Sequence, residues 1–113
     1  MARMMLLTKM NRKKLPKLYA QEKKGDEAIA HVKFFTPWTS WSWFATEGQP
    51  VLDDNGNEID FRFFGLVYGQ EKELGYFTLN DLKSVKGPFG LGIERDRYFK
   101  PTALKNCKDP CKG

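Results

Sequence analysis

Six carboxylates lie near the ends of the segments that this chain's pattern predicts to be regular: Glu22, Glu47, Glu71, Glu73, Glu94 and Asp96. Element ends sit beside loops, where functional groups gather, and two or three converging carboxylates can hold a divalent metal or act as an acid and base pair. Glu47, Glu71, Glu94 and Asp96 form the candidate cluster, the chemistry of a metal-assisted phosphoesterase. The competing reading, which we favour, makes Glu94-Arg95-Asp96 a structural ion-pair segment and leaves the others solvated. His31 is the only histidine, and no serine or cysteine sits in a recognisable nucleophile setting, which argues against a nucleophilic enzyme. Cys107, Cys111 and His31 give three strong zinc donors where a structural site takes four, so two reduced thiols on a frayed C-terminal tail are expected. DDNGNE fails the spacing of a calcium loop, and GPFGLG lacks the lysine of a phosphate loop. Neither a cofactor nor a metal is expected.

Binding chemistry is better represented. Lys9, Arg12 and Lys13 share one side of a predicted helix at i, i+3 and i+4, and Lys17 follows; such a cluster attracts polyphosphate by counterion release, or simply keeps a helix face solvated. Between Phe34 and Phe44 the stretch FFTPWTSWSWF holds three tryptophans and three phenylalanines, which form either a core or a stacking platform. Trp38 and Trp41 are the candidates for contact with nucleic acid. Alternation puts Trp41, Trp43, Ala45 and Glu47 on one face and Ser42, Phe44 and Thr46 on the other. Rings fall on both faces, so packing on both sides is favoured over an open platform, and Trp43 is expected to be buried.

The elements that must position these residues follow from local signals. Thr8 is a good cap for a helix through KMNRKKL, which Pro16 interrupts, and Leu7, Met10 and Leu18 should pack it on the sheet. AIAHVKFF, WSWFATE, the two runs of VLDDNGNEIDFRFFGLVYG and LGYFTL read as strands, with Asn55-Gly56 signalling a type I′ hairpin. A short helix over NDLKSV capped by Asn80 comes next, then a glycine-rich closing segment whose Leu91, Ile93, Tyr98 and Phe99 should cover the second face. The fold class is therefore α+β: an antiparallel meander of four or five strands, a short N-terminal helix on one face, and a short helix plus glycine-rich segment at the C-terminal end. One domain is expected over 1–113, with its core at about 6–101 and a basic, flexible tail at 102–113.

Composition agrees. With 113 residues the chain suits a single domain, and 41% hydrophobic with 14% aromatic content is too apolar for disorder. No run approaches the roughly 20 apolar residues of a membrane helix, and MARMMLL does not make a signal peptide, so a cytoplasmic protein without membrane contact is expected.

The succession LPKLYAQE, VKFFTP, WSWFATE, FFGLVYGQEKELGYFTLNDL and VKGPFGLGIERDRYF, spanning roughly residues 6 to 101, resembles a domain-of-unknown-function family of small proteins carried by bacterial plasmids, integrative conjugative elements and phages. The resemblance implies a setting of mobile DNA, conjugation and counter-defence. It transfers no catalytic residue. The leading functional expectation is a non-enzymatic accessory protein that binds nucleic acid with low sequence specificity. A protein-interaction or inhibitor module acting on a host defence or conjugation protein is the alternative, and the phosphoesterase ranks third.

Overall fold

A computed structural model describes residues 5–107. The first helix, α1 (Lys9–Lys14), is fixed at its start by a capping box: Asn11 N–H donates to Thr8 Oγ1 at 3.1 Å, and Thr8 N–H donates to Asn11 Oδ1 at 3.0 Å. It stops at Leu15, whose backbone is extended ahead of Pro16. α1 buries none of its own residues; Met10, expected in the core, is 63% exposed. The anchors are its flanks, Leu7, Leu15 and Leu18, because one and a half turns leave the helix too short to present an apolar stripe.

The remaining chain forms strands β1 (Ile29–Ala30), β2 (Val32–Phe35), β3 (Ser42–Leu52), β4 (Glu58–Tyr68) and β5 (Lys72–Thr78), helix α2 (Leu79–Ser84), then β6 (Glu94–Arg95) and β7 (Thr102–Ala103). Five strands make one antiparallel sheet in the order β5-β4-β3-β2-β6, while β1 pairs with β7 in a separate two-stranded ribbon. The fold is α+β, as the alternation predicts. α2 is capped by Thr78 through a box with Asp81, whereas Asn80 donates its amide to Ile59 O. The β3–β4 turn is not type I′. Gly56 has φ +82° but Asn55 does not have positive φ, and Asp53 N–H reaches Asn57 O at 2.9 Å across a three-residue loop. Asp53 Oδ1 accepts from Asn55 N–H and Asn57 N–H, so an aspartate sets this turn.

Both faces of the sheet are covered. On one, Phe34, Trp43, Phe61, Phe63 and Phe77 pack with Leu7, Leu15, Leu79, Leu82 and Ile93. On the other, Phe44 and Leu66 pack with Ala28, Ala30, Leu104 and Cys107, with Tyr68 and Phe99 at the margin. The closing segment thus divides between the faces: Ile93 joins the first and Phe99 the second, while Tyr98 and Leu91 are exposed. Thr102–Cys107, expected in the tail, are instead tied in through β7, Leu104 and Cys107. Cys107 is buried, and burial pushes its thiol up to about 11. Cys111 and the rest of the tail lie outside the described residues.

One register shift matters beyond the fold. β3 carries a bulge between Ala45 and Glu47, so Glu47 pairs with Phe64 rather than continuing the face of Trp43 and Ala45. Glu47 therefore points to the face opposite the one that strict alternation assigns. There its two carboxylate oxygens accept from the backbone N–H of Tyr19 at 2.6 Å and of Gln21 at 2.7 Å.

Candidate nucleic-acid interface

The aromatic stretch is divided by the fold. Phe34, Trp43 and Phe44 are buried, as expected for Trp43, while Trp38 is half-buried and Trp41 is 39% exposed. The β2–β3 loop that bears the last two is closed on itself. Thr36 N–H donates to Trp41 O at 3.1 Å, Trp41 N–H reaches the hydroxyls of Thr36 and Thr39, and those hydroxyls bond each other. Two glycines seat the indoles. A Cβ at Gly69 would collide with the Trp41 ring, and one at Gly87 with the Trp38 ring.

Trp41 forms one wall of a groove of about 330 Å³ beside the edge strand β6. Thr36 and Thr39 of the same loop line it too, with Lys33, Phe35, Glu94, Arg95, Asp96, Arg97 and Tyr98. Tyr98 is 86% exposed. Asp96 is occupied locally: it pairs with Lys33 at 3.9 Å and accepts from Tyr98 N–H at 2.9 Å, which fixes the loop that displays the tyrosine. Arg95 donates to Met5 O, and burial, followed by the neighbouring charge of Arg97, holds its guanidinium below the ordinary value. The side chain of Arg97 makes no ion pair or hydrogen bond among the described residues. The groove thus holds two accessible rings, one guanidinium without a partner among the described residues, two cations already engaged with Asp96 and Met5 O, and the carboxylates of Glu94 and Asp96.

The nominated basic residues are elsewhere. Arg12 donates through both terminal nitrogens to Glu58, each at 2.6 Å, and its guanidinium lies 4.9 Å from the Phe61 ring centroid. Those hydrogen bonds hold Glu58 below, and Arg12 above, their ordinary values. Arg12 is a structural residue, a pairing across 46 positions that local sequence does not show. Lys9, Lys13 and Lys17 are exposed. Glu58 opens β4 and faces the end of β3, whereas Trp41 precedes the start of β3, so the Arg12–Glu58 pair and Trp41 lie at opposite ends of that strand. Along an 11-residue strand that is roughly 30 Å.

The carboxylates also separate. Glu94 and Asp96 share the groove, Glu47 is buried beneath Tyr19 and Gln21, and Glu71 is exposed in the β4–β5 turn. Among the described residues, no three histidine, cysteine, aspartate or glutamate side chains are grouped to hold a metal ion. His31 is half-buried, and burial followed by the charge of Lys14 lowers its pKa. Sequence reasoning nominated Trp41 but missed Arg97 and Tyr98. The available signal was the alternation of charge and ring in ERDRYF on a segment too irregular to assign.

The chain matches the family model described as protein of unknown function (DUF2958) over residues 6–105. The chain belongs to this family. Family membership thus covers α1, the whole sheet and the closing segment through β7, while the family's description supplies no activity. Neither a curated protein nor a solved structure matches the chain. Among the described residues no helix is long and apolar enough to cross a membrane.

Proposed function

We propose that this member of the family is a non-enzymatic accessory protein of a mobile genetic element, binding single-stranded nucleic acid with low sequence specificity in the groove beside β6. The observation that carries the reading is the placement of Trp41 and Tyr98 in the same groove as Arg95, Arg97 and Lys33. Exposed rings stack on any base, and adjacent cations track the backbone; each stacked base contributes about 1–3 kcal/mol. Low specificity follows because the groove has few uncommitted hydrogen-bonding groups to read a base edge. The bidentate Arg12–Glu58 pair takes Arg12 out of the proposed contact, leaving Lys9, Lys13 and Lys17 as a separate, salt-sensitive contribution.

Fluorescence anisotropy with a labelled oligothymidine tests this. Affinity should fall with salt, at a log–log slope of roughly 0.7 per phosphate contacted. Tyr98→Ala and Arg97→Ala should each weaken binding by about tenfold without lowering the melting temperature. Absence of binding at low salt, or binding untouched by both substitutions, overturns the proposal.

A second reading, docking on a protein of the host or the mobile element, is favoured by Phe89. This ring is fully exposed on a loop whose backbone holds a non-glycine residue at φ +59°. The loop is braced where Gly87 meets Trp38 and where Gly87 N–H donates to Leu91 O at 2.7 Å. An apolar side chain displayed at a backbone cost suits an anchor for a partner's pocket. Loss of a captured partner in Phe89→Ala, with oligonucleotide affinity unchanged, would select this reading.

A further inference from the structure

A second cavity, of about 150 Å³, lies on the opposite part of the sheet, where the segment after Pro16 crosses β3, β4 and β5. Its walls include the rings of Tyr19, Phe64 and Tyr76 and the carboxylates of Glu22 and Glu47. Tyr76 packs edge-on against both other rings, at an interplanar angle of 66° in each case. Among the described residues no cationic side chain lines the space, whose lining carries two acidic side chains in a chain of net charge +5.

Its construction is costly and well supported. Tyr19 has φ +75°, a conformation disfavoured for a residue with a Cβ. It is held there by the Glu47 carboxylate on its N–H, with Gln21 bracing the same turn through Ile29 and Thr46. The consequence of this strained turn is that the Tyr19 ring meets Tyr76. The Tyr19 side chain beside it raises the Tyr76 pKa above its ordinary value. Outside the cavity, the Arg62 guanidinium already lies 4.3 Å from the Tyr76 ring centroid. That ring therefore accepts a cation within the fold.

We propose that this cavity binds an organic cation of the alkylammonium class. Ring quadrupoles attract a cation desolvated between them, and a carboxylate at the mouth supplies the counter-charge without the full dehydration that a metal would demand. Glu22, exposed at the rim, is the counter-ion; Glu47 holds the turn. The volume accommodates a head group such as trimethylammonium or the end of a lysine side chain, but not a folded peptide. A free amine and a lysine on another protein share this chemistry.

Titration with tetramethylammonium chloride, followed by NMR of the tyrosine and phenylalanine ring protons, tests the site, with tert-butanol as the neutral probe of similar shape. Saturable shifts confined to Tyr19, Phe64 and Tyr76, with tert-butanol at least roughly tenfold weaker, are expected. Tyr76→Leu should abolish the shifts of Tyr19 and Phe64, Tyr76→Phe should retain binding, and Glu22→Gln should weaken it by about threefold to tenfold. A melting temperature within the wild-type range shows that the variants are folded. Binding of N-acetyl-lysine methylamide as well as tetramethylammonium identifies a protein side chain as the natural source, and binding of tetramethylammonium alone identifies a free amine. Equal affinity for tert-butanol, absence of saturation, or indifference to Tyr76→Leu overturns the proposal.

Discussion

The two ends of the five-stranded sheet treat the same residue types in opposite ways. At the β3–β4 hairpin end, charged groups have partners within the fold: Arg12 is held by both oxygens of Glu58, Asp53 closes the turn, and Asp60 accepts from the Asn80 and Phe61 N–H groups. At the loop end, Arg97 has no side-chain partner among the described residues, and Trp41, Phe89 and Tyr98 are exposed. An arginine is a fastening in one place and an offered group in the other. The difference lies in what faces it, so a count of basic residues could not have located the proposed interface.

The sharpest test of what the loop end offers to solvent is to truncate in turn the two tryptophans that flank the start of β3. Trp43 is 8% exposed within the core, and Trp43→Ala should cost about 3–5 kcal/mol in chemical denaturation. Trp41→Ala should cost less than Trp43→Ala, about 1–2 kcal/mol, since its ring is 39% exposed but rests on Gly69 and Trp43, while weakening oligonucleotide binding. Equal destabilisation by both would erase the distinction between a buried and an offered ring.

The arginines give a smaller test of the same kind. Arg12→Ala should lower stability by about 0.5–1 kcal/mol, through loss of a partly exposed bidentate pair and its contact with Phe61, and leave oligonucleotide affinity nearly unchanged. Arg97→Ala should do the reverse. The pair also has a pH signature. Arg12 holds Glu58 below its ordinary value, so this contribution is fully present above the ordinary carboxylate range and is lost as pH falls through the lowered value. Denaturation of the wild type and Arg12→Ala should therefore differ at neutral pH and converge in acid.

The smallest expected effect is at Ser42, at the head of β3. Its hydroxyl is fully buried and has no hydrogen-bond partner among the described residues. Ser42→Ala should be neutral or slightly stabilising in thermal melts, because removing an unpaired polar group removes its desolvation cost.

What was legible in the sequence was local. Thr8 caps α1, Pro16 ends it, and alternation along β4 separates Phe61 and Phe63 from Phe64 and Leu66, because each signal depends on neighbours a few positions away. The bulge before Glu47 exists only relative to β4, so one inserted residue reversed the face assigned to that carboxylate. β6 and β7 have two residues each, and pairing with β2 and β1, not intrinsic propensity, makes them strands. The groove depends on that pairing, which is why Arg97 and Tyr98 escaped a reading that found Trp41.

The ribbon that joins Ile29–Ala30 to Thr102–Ala103 also constrains the order of events during synthesis. The first face of the sheet can close once α2 and Ile93 have been made. The second cannot: Phe44 and Leu66 await Leu104 and Cys107, about sixty and forty residues later. A nascent chain stalled before residue 100 would hold a half-covered sheet with its second face open to water, a species prone to association and suited to capture by a chaperone. Leu104 and Cys107 act as a seal, and their arrival separates a sticky intermediate from a finished protein.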